Sequence, residues 1–207
     1  DALNPIKSSR PMELLRAAGC TGRDVRVIDA NDNNELAQAA QRCRAEGRML
    51  VGPSGAIQAF AATFGRSRSR PKFVLRTPIL VVCGSLHPVS RNQIQRLQCP
   101  LYTLKETFQI SDHLSVLTTI EPTRTPDLDA AWATARALAS WSNSAAPVGT
   151  LVVIGGDTAA AILGNEPVKV LGNLGVAIPV SDRNGQLLVT KGGGIGKPDT
   201  LLDLLSV

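Results

Sequence analysis

Aromatic side chains are scarce in this chain of 207 residues: four Phe, two Trp and one Tyr. Leu, Val, Ile and Ala must therefore fill the core, and at 43% apolar residues there is enough material to do so. The same scarcity argues against a nucleic-acid surface, on which basic residues alternate with stacking rings. A balance of 22 basic to 17 acidic side chains, net +5, suits a small anionic ligand better. Histidine is limited to two residues and cysteine to Cys20, Cys43, Cys83 and Cys99. No C-x-x-C pair occurs, so neither a zinc site nor a disulfide framework is expected, and a reducing, cytoplasmic setting is. No apolar run approaches the roughly 20 residues that span a bilayer, and no signal peptide opens the chain, which leaves no membrane partner to expect. Also missing are the Walker loop, a G-x-G-x-x-G after a strand, and the G-x-S-x-G elbow of hydrolases.

What the sequence does have is alternation. Short apolar runs bounded by Gly, Pro or Asp predict strands at 25–29, 48–52, 78–84, 115–120, 150–155 and 186–191. Amphipathic stretches predict helices at 33–46, 54–64, 89–98, 127–143, 157–163 and 198–205. Strand alternating with helix predicts an α/β fold, a layered and mostly parallel sheet with helices on both faces. Residues 1–20 read as a linker or start segment and 21–207 as one domain. Because "DALNPIKSSRP" looks like a linker and Asp1 is not Met, the chain is expected to be cut from a longer one. The basic run "GRSRSRPKF" (65–73) reads as a solvated connection.

The chemistry concentrates where strands meet glycine. In "LVVIGGDTAAAIL" (151–163) an apolar strand runs into Gly155 and Gly156, and a helix starts at once. Two glycines permit positive φ and a close approach of backbone to ligand. The helix behind them offers unpaired N–H groups and the positive end of its dipole, the geometry that holds phosphate. Asp157 or Thr158 is expected to cap that helix. The theme recurs in "VVCGSLHPVSRNQI" (81–94) with Gly84 and Ser85, in "VGPSGAI" (51–57), and in "VTKGGGIGKPD" (189–199). The last places Lys191 beside a glycine loop, a common way to set a point charge against phosphate oxygens. Loops at the carboxyl ends of strands in an open α/β sheet gather on one edge, so these turns point to a nucleotide or phosphate site. His87 beside Pro88 reads as structural or exposed, and His113 has no evident partner.

The ordered set Gly84-Ser85-x-x-Pro88-x-Ser90-x-x-Gln93, Gly155-Gly156-Asp157-Thr158-Ala159 and Lys191-x-Gly193-x-x-Gly196 resembles the C-terminal half of the four-carbon acid sugar kinases. "VIDANDNNELAQAAQ" and "LVGPSGAIQAF" are similar to the segments that precede those motifs. The resemblance implies an ATP-dependent kinase of threonate, erythronate or 3-oxo-tetronate, with ATP and Mg²⁺ held by this half and the sugar acid by an N-terminal domain. It places Ser85, the turn Gly155 to Thr158, and Gly193 at nucleotide-contacting positions. Gly84 and Lys191 complete the expected ATP site, and Asp157 is given a water-mediated role at the metal. No metal site built by the protein and no catalytic base is assigned. The third motif commonly reads Lys-Ser-Gly-x-Phe-Gly, whereas Gly192 and Ile195 stand here in place of Ser and Phe. The family's N-terminal signatures, Asp-Asp-x-Thr-Gly and Lys-x-Asp-Ser-Thr-x-Arg-Gly, do not occur, so the isolated chain is expected to bind nucleotide without turning over substrate. Association into a homo-oligomer stays open. So do two other readings: a non-catalytic nucleotide-binding or interaction module, and a phosphate-utilising enzyme of another α/β family.

Overall fold

Strands buried on both sides have no polar face to show, and the sequence of this chain supplies several of them. The computed structural model describes residues 7–20, 25–65, 72–104, 106, 108–120, 127–145 and 147–205. Among these, seven strands build one sheet: Ile79–Cys83 (β1), Leu101–Thr103 (β2), Leu114–Thr118 (β3), Thr150–Ile154 (β4), Lys169–Gly175 (β5), Ile178–Arg183 (β6) and Gln186–Lys191 (β7). Their order is β2-β3-β1-β4-β7-β6-β5. The first five in that order pair in parallel, and β6 and β5 add antiparallel. All five residues of β1 and all five of β4 are buried.

Helices cover both faces. Pro88–Gln95 (α4) and Thr200–Leu205 (α7) bury Ile94, Leu201 and Leu205 against Val81, Val116, Val152 and Val189. Leu128–Ser144 (α5) and Gly156–Leu163 (α6) bury Leu138, Ala139 and Ile162 against Leu80, Val82, Leu117 and Val153 on the other face. Alternate residues of β1 thus enter opposite layers, as the two-residue period of a strand requires. The chain has the expected α/β fold.

The chain divides into two compact units, Asp1–Ser69 and Arg70–Val207. The division falls in the basic connection 65–73, of which 66–71 lie outside the described residues. The first unit contains Pro11–Ala17 (α1), Asn33–Ala45 (α2) and Ser54–Ala62 (α3). The first of these helices lies within the segment read as a linker. Asp32 caps α2 by accepting from the amides of Asn34 and Glu35, each at 2.8 Å. Helices α2 and α3 are tied by Arg44, which donates to the Thr63 carbonyl and sits 4.3 Å over the Phe64 ring.

The strands expected at 25–29 and 48–52 do not form. A strand needs a neighbour to satisfy its ladder, and the first unit provides no sheet among the described residues. Their apolar side chains are exposed instead, Met49 and Val51 each at 89%.

Leu138 is fully buried between α5 and the sheet, and it also underlies Gly84, where an added Cβ would lie 3.0 Å from its Cδ1. Leu138→Ala should lower unfolding stability by about 2–5 kcal/mol through the cavity it leaves. Urea denaturation followed by circular dichroism measures this. A loss below about 1 kcal/mol would mean that this layer repacks freely.

Candidate functional site

Register sets the site. Thr118 pairs with Cys83, Cys83 with Ile154, and Ile154 with Lys191, so the last residues of β3, β1, β4 and β7 stand in one row across the sheet. The chain leaves β1 toward β2 and β3 on one side and leaves β4 toward β7 on the other, which makes the β1/β4 boundary the switch point where α/β sheets bind ligands. The glycine turns leave from this row.

Gly84 continues β1, its N–H donating to the Ile154 carbonyl at 3.1 Å, while the Gly155 N–H donates to the Lys191 carbonyl at 3.0 Å. A Cβ on Gly84 would run into the Thr158 hydroxyl. Gly155 has φ 117, a conformation side chains disfavour, and a Cβ there would lie 3.4 Å from the Ser85 amide nitrogen. A Cβ on Gly193 would collide with the Ser85 hydroxyl. Thr158 thus lies against Gly84 and Gly155, and Ser85 against Gly155 and Gly193. The turn at 51–57 belongs to the other unit, and no strand precedes it among the described residues.

Of the two adjacent glycines only Gly155 has positive φ; Gly156 is the first residue of α6 and has open space where a Cβ would stand. Neither Asp157 nor Thr158 caps that helix, whose N-cap is Gly155 with no side-chain cap bond. Both residues fall inside the first turn, beyond the position from which a side chain can reach back. Thr158 is buried and packs on Gly84. Asp157 is exposed in the first turn, where its charge favours the dipole. With no side-chain cap, the leading amides of α6 stay available to an acceptor from outside.

Lys191 is the buried cation of the site, 3% exposed. Its Nζ donates to the Gly192 carbonyl at 3.0 Å and to Ser90 Oγ at 3.4 Å, and none of the ion pairs among the described residues includes it. Burial holds its ammonium below the usual lysine range. Burial likewise pushes the Cys83 thiol up, opposed by the charges of Arg91 and Lys191. Arg91 donates to Thr118 Oγ1 and the Thr119 carbonyl, both at 2.8 Å, and to Thr119 Oγ1 at 2.5 Å, again with no carboxylate. Among the described residues neither Lys191 nor Arg91 is paired with a carboxylate.

Helix α4 holds the glycine loop. Ser90 Oγ donates to the Gly193 carbonyl at 2.5 Å, and Gln93 Nε2 donates to the carbonyls of Ile195 and Lys197 at 3.2 and 2.7 Å. Both side chains are fully buried. They were visible in the sequence as polar residues three apart on a helix, but nothing local says what they face. His87 has a structural role: its Nδ1 accepts from the Val89 amide at 3.2 Å and caps α4, which leaves Nε2 to carry the proton of the neutral ring.

Beside the turn lies a cavity of about 320 Å³, whose lining includes Gly155, Gly156, Ala159, Ala160 and Gly192. The open space at Gly156 and the amides at the start of α6 fit phosphate oxygens, while the Lys191 ammonium lies on the α4 side of the sheet, against Ser90. No group of three His, Cys, Asp or Glu side chains among the described residues is placed to hold a metal, and Asp157 is the acid on the turn.

No family model and no curated protein matches the sequence. Solved structures do. A Bordetella bronchiseptica domain of unknown function (DUF1537), crystallised with bound citrate as a domain-swapped dimer, is 22% identical with TM-score 0.50, covering 96% of this chain and 56% of its own. A Haemophilus influenzae DUF1537 protein is 19% identical with TM-score 0.57, covering 94% and 55%. A Salmonella typhimurium protein is 15% identical with TM-score 0.60, covering 93% and 54%. The chain shares their fold and spans about half the length of each. No helix among the described residues is long and apolar enough to cross a membrane.

A buried ammonium with no carboxylate partner among the described residues costs stability. Lys191→Met should raise neutral-pH stability by roughly 1 kcal/mol, a Tm gain of about 2–4 °C for a domain of this size. The native amine loses its proton at lower pH than the unfolded one, so the wild type gains on the variant as pH rises toward the usual lysine range. Calorimetric melting at neutral and alkaline pH checks both statements. A lower Tm for the variant would mean that the bonds to Ser90 and Gly192 outweigh the burial.

Proposed function

We propose that this chain is the nucleotide-binding half of an ATP-dependent kinase of four-carbon acid sugars. The observation that carries the reading is the meeting of the turns at Gly84, Gly155 and Gly193 above a buried Lys191, at the switch point of the sheet. The motifs quoted from the sequence supply the reaction class, and the DUF1537 structures are compatible with it in fold.

In this mechanism the chain acts by position and charge. The amides that open α6 receive phosphate oxygens, Gly156 lets them approach, and Lys191 offsets their charge from beneath. Ser85 adds a hydroxyl from the facing turn, and α4 keeps the loop after Lys191 in place through Ser90 and Gln93. Charge that spreads over the transferred phosphoryl group would be neutralised by magnesium bound with the ATP. The acceptor hydroxyl and the group that takes its proton belong to a second domain. A homo-oligomer, as in the domain-swapped Bordetella protein, is part of the same proposal.

Calorimetry should show ATP or ADP binding with Mg²⁺ at millimolar nucleotide, weak because half of the cleft is absent. Gly156→Val should abolish it in a folded protein: φ is ordinary there, and the new side chain fills only the open space in front of the turn. A variant that binds normally would reduce the turn to a structural feature.

Coupled ADP-release assays should detect no phosphorylation of threonate or erythronate by this chain alone, since a donor site without acceptor positioning forgoes most of the rate enhancement. Turnover should appear once a sugar-acid-binding domain precedes it in one polypeptide. Full activity of the 207 residues alone would place the acceptor site here. Binding without turnover in the joined protein would leave a nucleotide-binding module.

A further inference from the structure

The first unit carries two apolar segments that no element of that unit covers. Val25, Val27 and Ile28 are exposed in one, Met49 and Val51 in the other. No main-chain group of 25–29 or 49–52 is hydrogen-bonded among the described residues. The buried apolar side chains described in this unit are Ala39, Ala40 and Ala56, and α1 buries none. Three methyl groups are too little apolar surface to offset the ordering of three helices. The unit therefore has to bury more than it buries here.

One ion-pair cluster shows how the two segments stand. Glu46, the C-cap residue of α2, meets Arg26 of the first segment at 3.9 Å and Arg48 of the second at 2.7 Å. Both segments thus begin at the same end of α2 and run from there side by side. This is the arrangement of a crossover, in which a helix joins two parallel strands. Two strands alone make a marginal sheet; three or more with an apolar face are needed for independent stability. The solved structures that share the fold offer a source for the rest. They match 93–96% of this chain with 54–56% of their own, so each holds further polypeptide of nearly equal length.

We propose that 25–29 and 48–52 are docking strands, which pair in parallel with strands of the same polypeptide lying outside these 207 residues. Apolar side chains of that sheet would cover Val25 with Val27, and Met49 with Val51, the pairs that share a strand face. Main-chain hydrogen bonds supply the affinity in such strand addition, and the apolar faces fix the register. The inference does not depend on the nucleotide reading, because a unit that bound no ligand would need the same cover.

Hydrogen exchange read by mass spectrometry tests this on the 207-residue chain and on the natural protein purified from its own cells. Amides of 25–29 and 49–52 should exchange in the chain as in an unstructured peptide, and at least about 100-fold more slowly in the natural protein. Val51→Lys should leave the melting temperature of the chain within about 1 °C, since the side chain is bare, and lower that of the natural protein by at least about 2 °C. Val51→Thr, which keeps the β-branched shape, should give the same contrast in milder form if lysine prevents folding. A natural protein of only 207 residues, equal exchange in the two forms, or substitutions that act alike in both overturns the proposal. A 207-residue chain that sediments as a dimer with these segments already protected assigns the surface to a second copy and overturns it too. Protection in the natural protein without nucleotide binding would uphold the docking strands and sink the kinase reading alone.

Discussion

The in-register pairing of β3, β1, β4 and β7 determines where every loop of the candidate site begins. A parallel ladder bonds each strand evenly to its neighbours, so four strands ending in one row release four connections at one height. Short connections cannot diverge far from there. Gly84 and Gly155 then have to pass each other at close range, and the Thr158 hydroxyl occupies the space a Cβ on Gly84 would need. Glycine at these positions is a packing requirement before it is a ligand requirement. In the proposed nucleotide site the same residues would serve both ends, because a backbone bare enough to pack against another backbone is also bare enough to meet a phosphate.

Much of this could be read from residues alone, for a definite reason. Strands β1 and β4 are buried on both faces, so their apolar runs announce them without reference to neighbours. Strand β2 has three residues and exists because β3 offers it a ladder. Strand β5, with glycines at 172 and 175 and exposed residues along most of its length, depends on β6 in the same way and pairs through two register shifts. The β6–β7 hairpin did carry a local signal: Asn184 and Gly185 have φ 50 and 89, the left-handed pair that Asn-Gly favours in tight hairpins. In the site, the glycine pairs are legible because their conformational needs are local. Ser90 and Gln93 are not, since their partners lie about a hundred residues away. Alanines 159 and 160 read only as helix formers until Ala177 and Pro179 appear beside the same cavity.

The first unit shows the opposite situation. Residues 25–29 and 48–52 have the composition of strands, and α2, capped by Asp32, and α3 follow them, yet no ladder forms. Propensity proposes a strand; hydrogen-bond partners decide it. Local order in this unit resides in its helices, whose backbone bonds are internal and need no neighbour.

The bonds from α4 to the glycine loop end on main-chain oxygens, those of Gly193, Ile195 and Lys197. The path of the loop is thereby fixed through atoms that every residue possesses. Side chains at 192 and 195 can change over evolutionary time while the trace of the chain stays as it is, provided that 193 and 196 remain without a Cβ. Gly192 and Ile195 give no side chain to those bonds and are positions of that kind: their spelling is free while the shape is held.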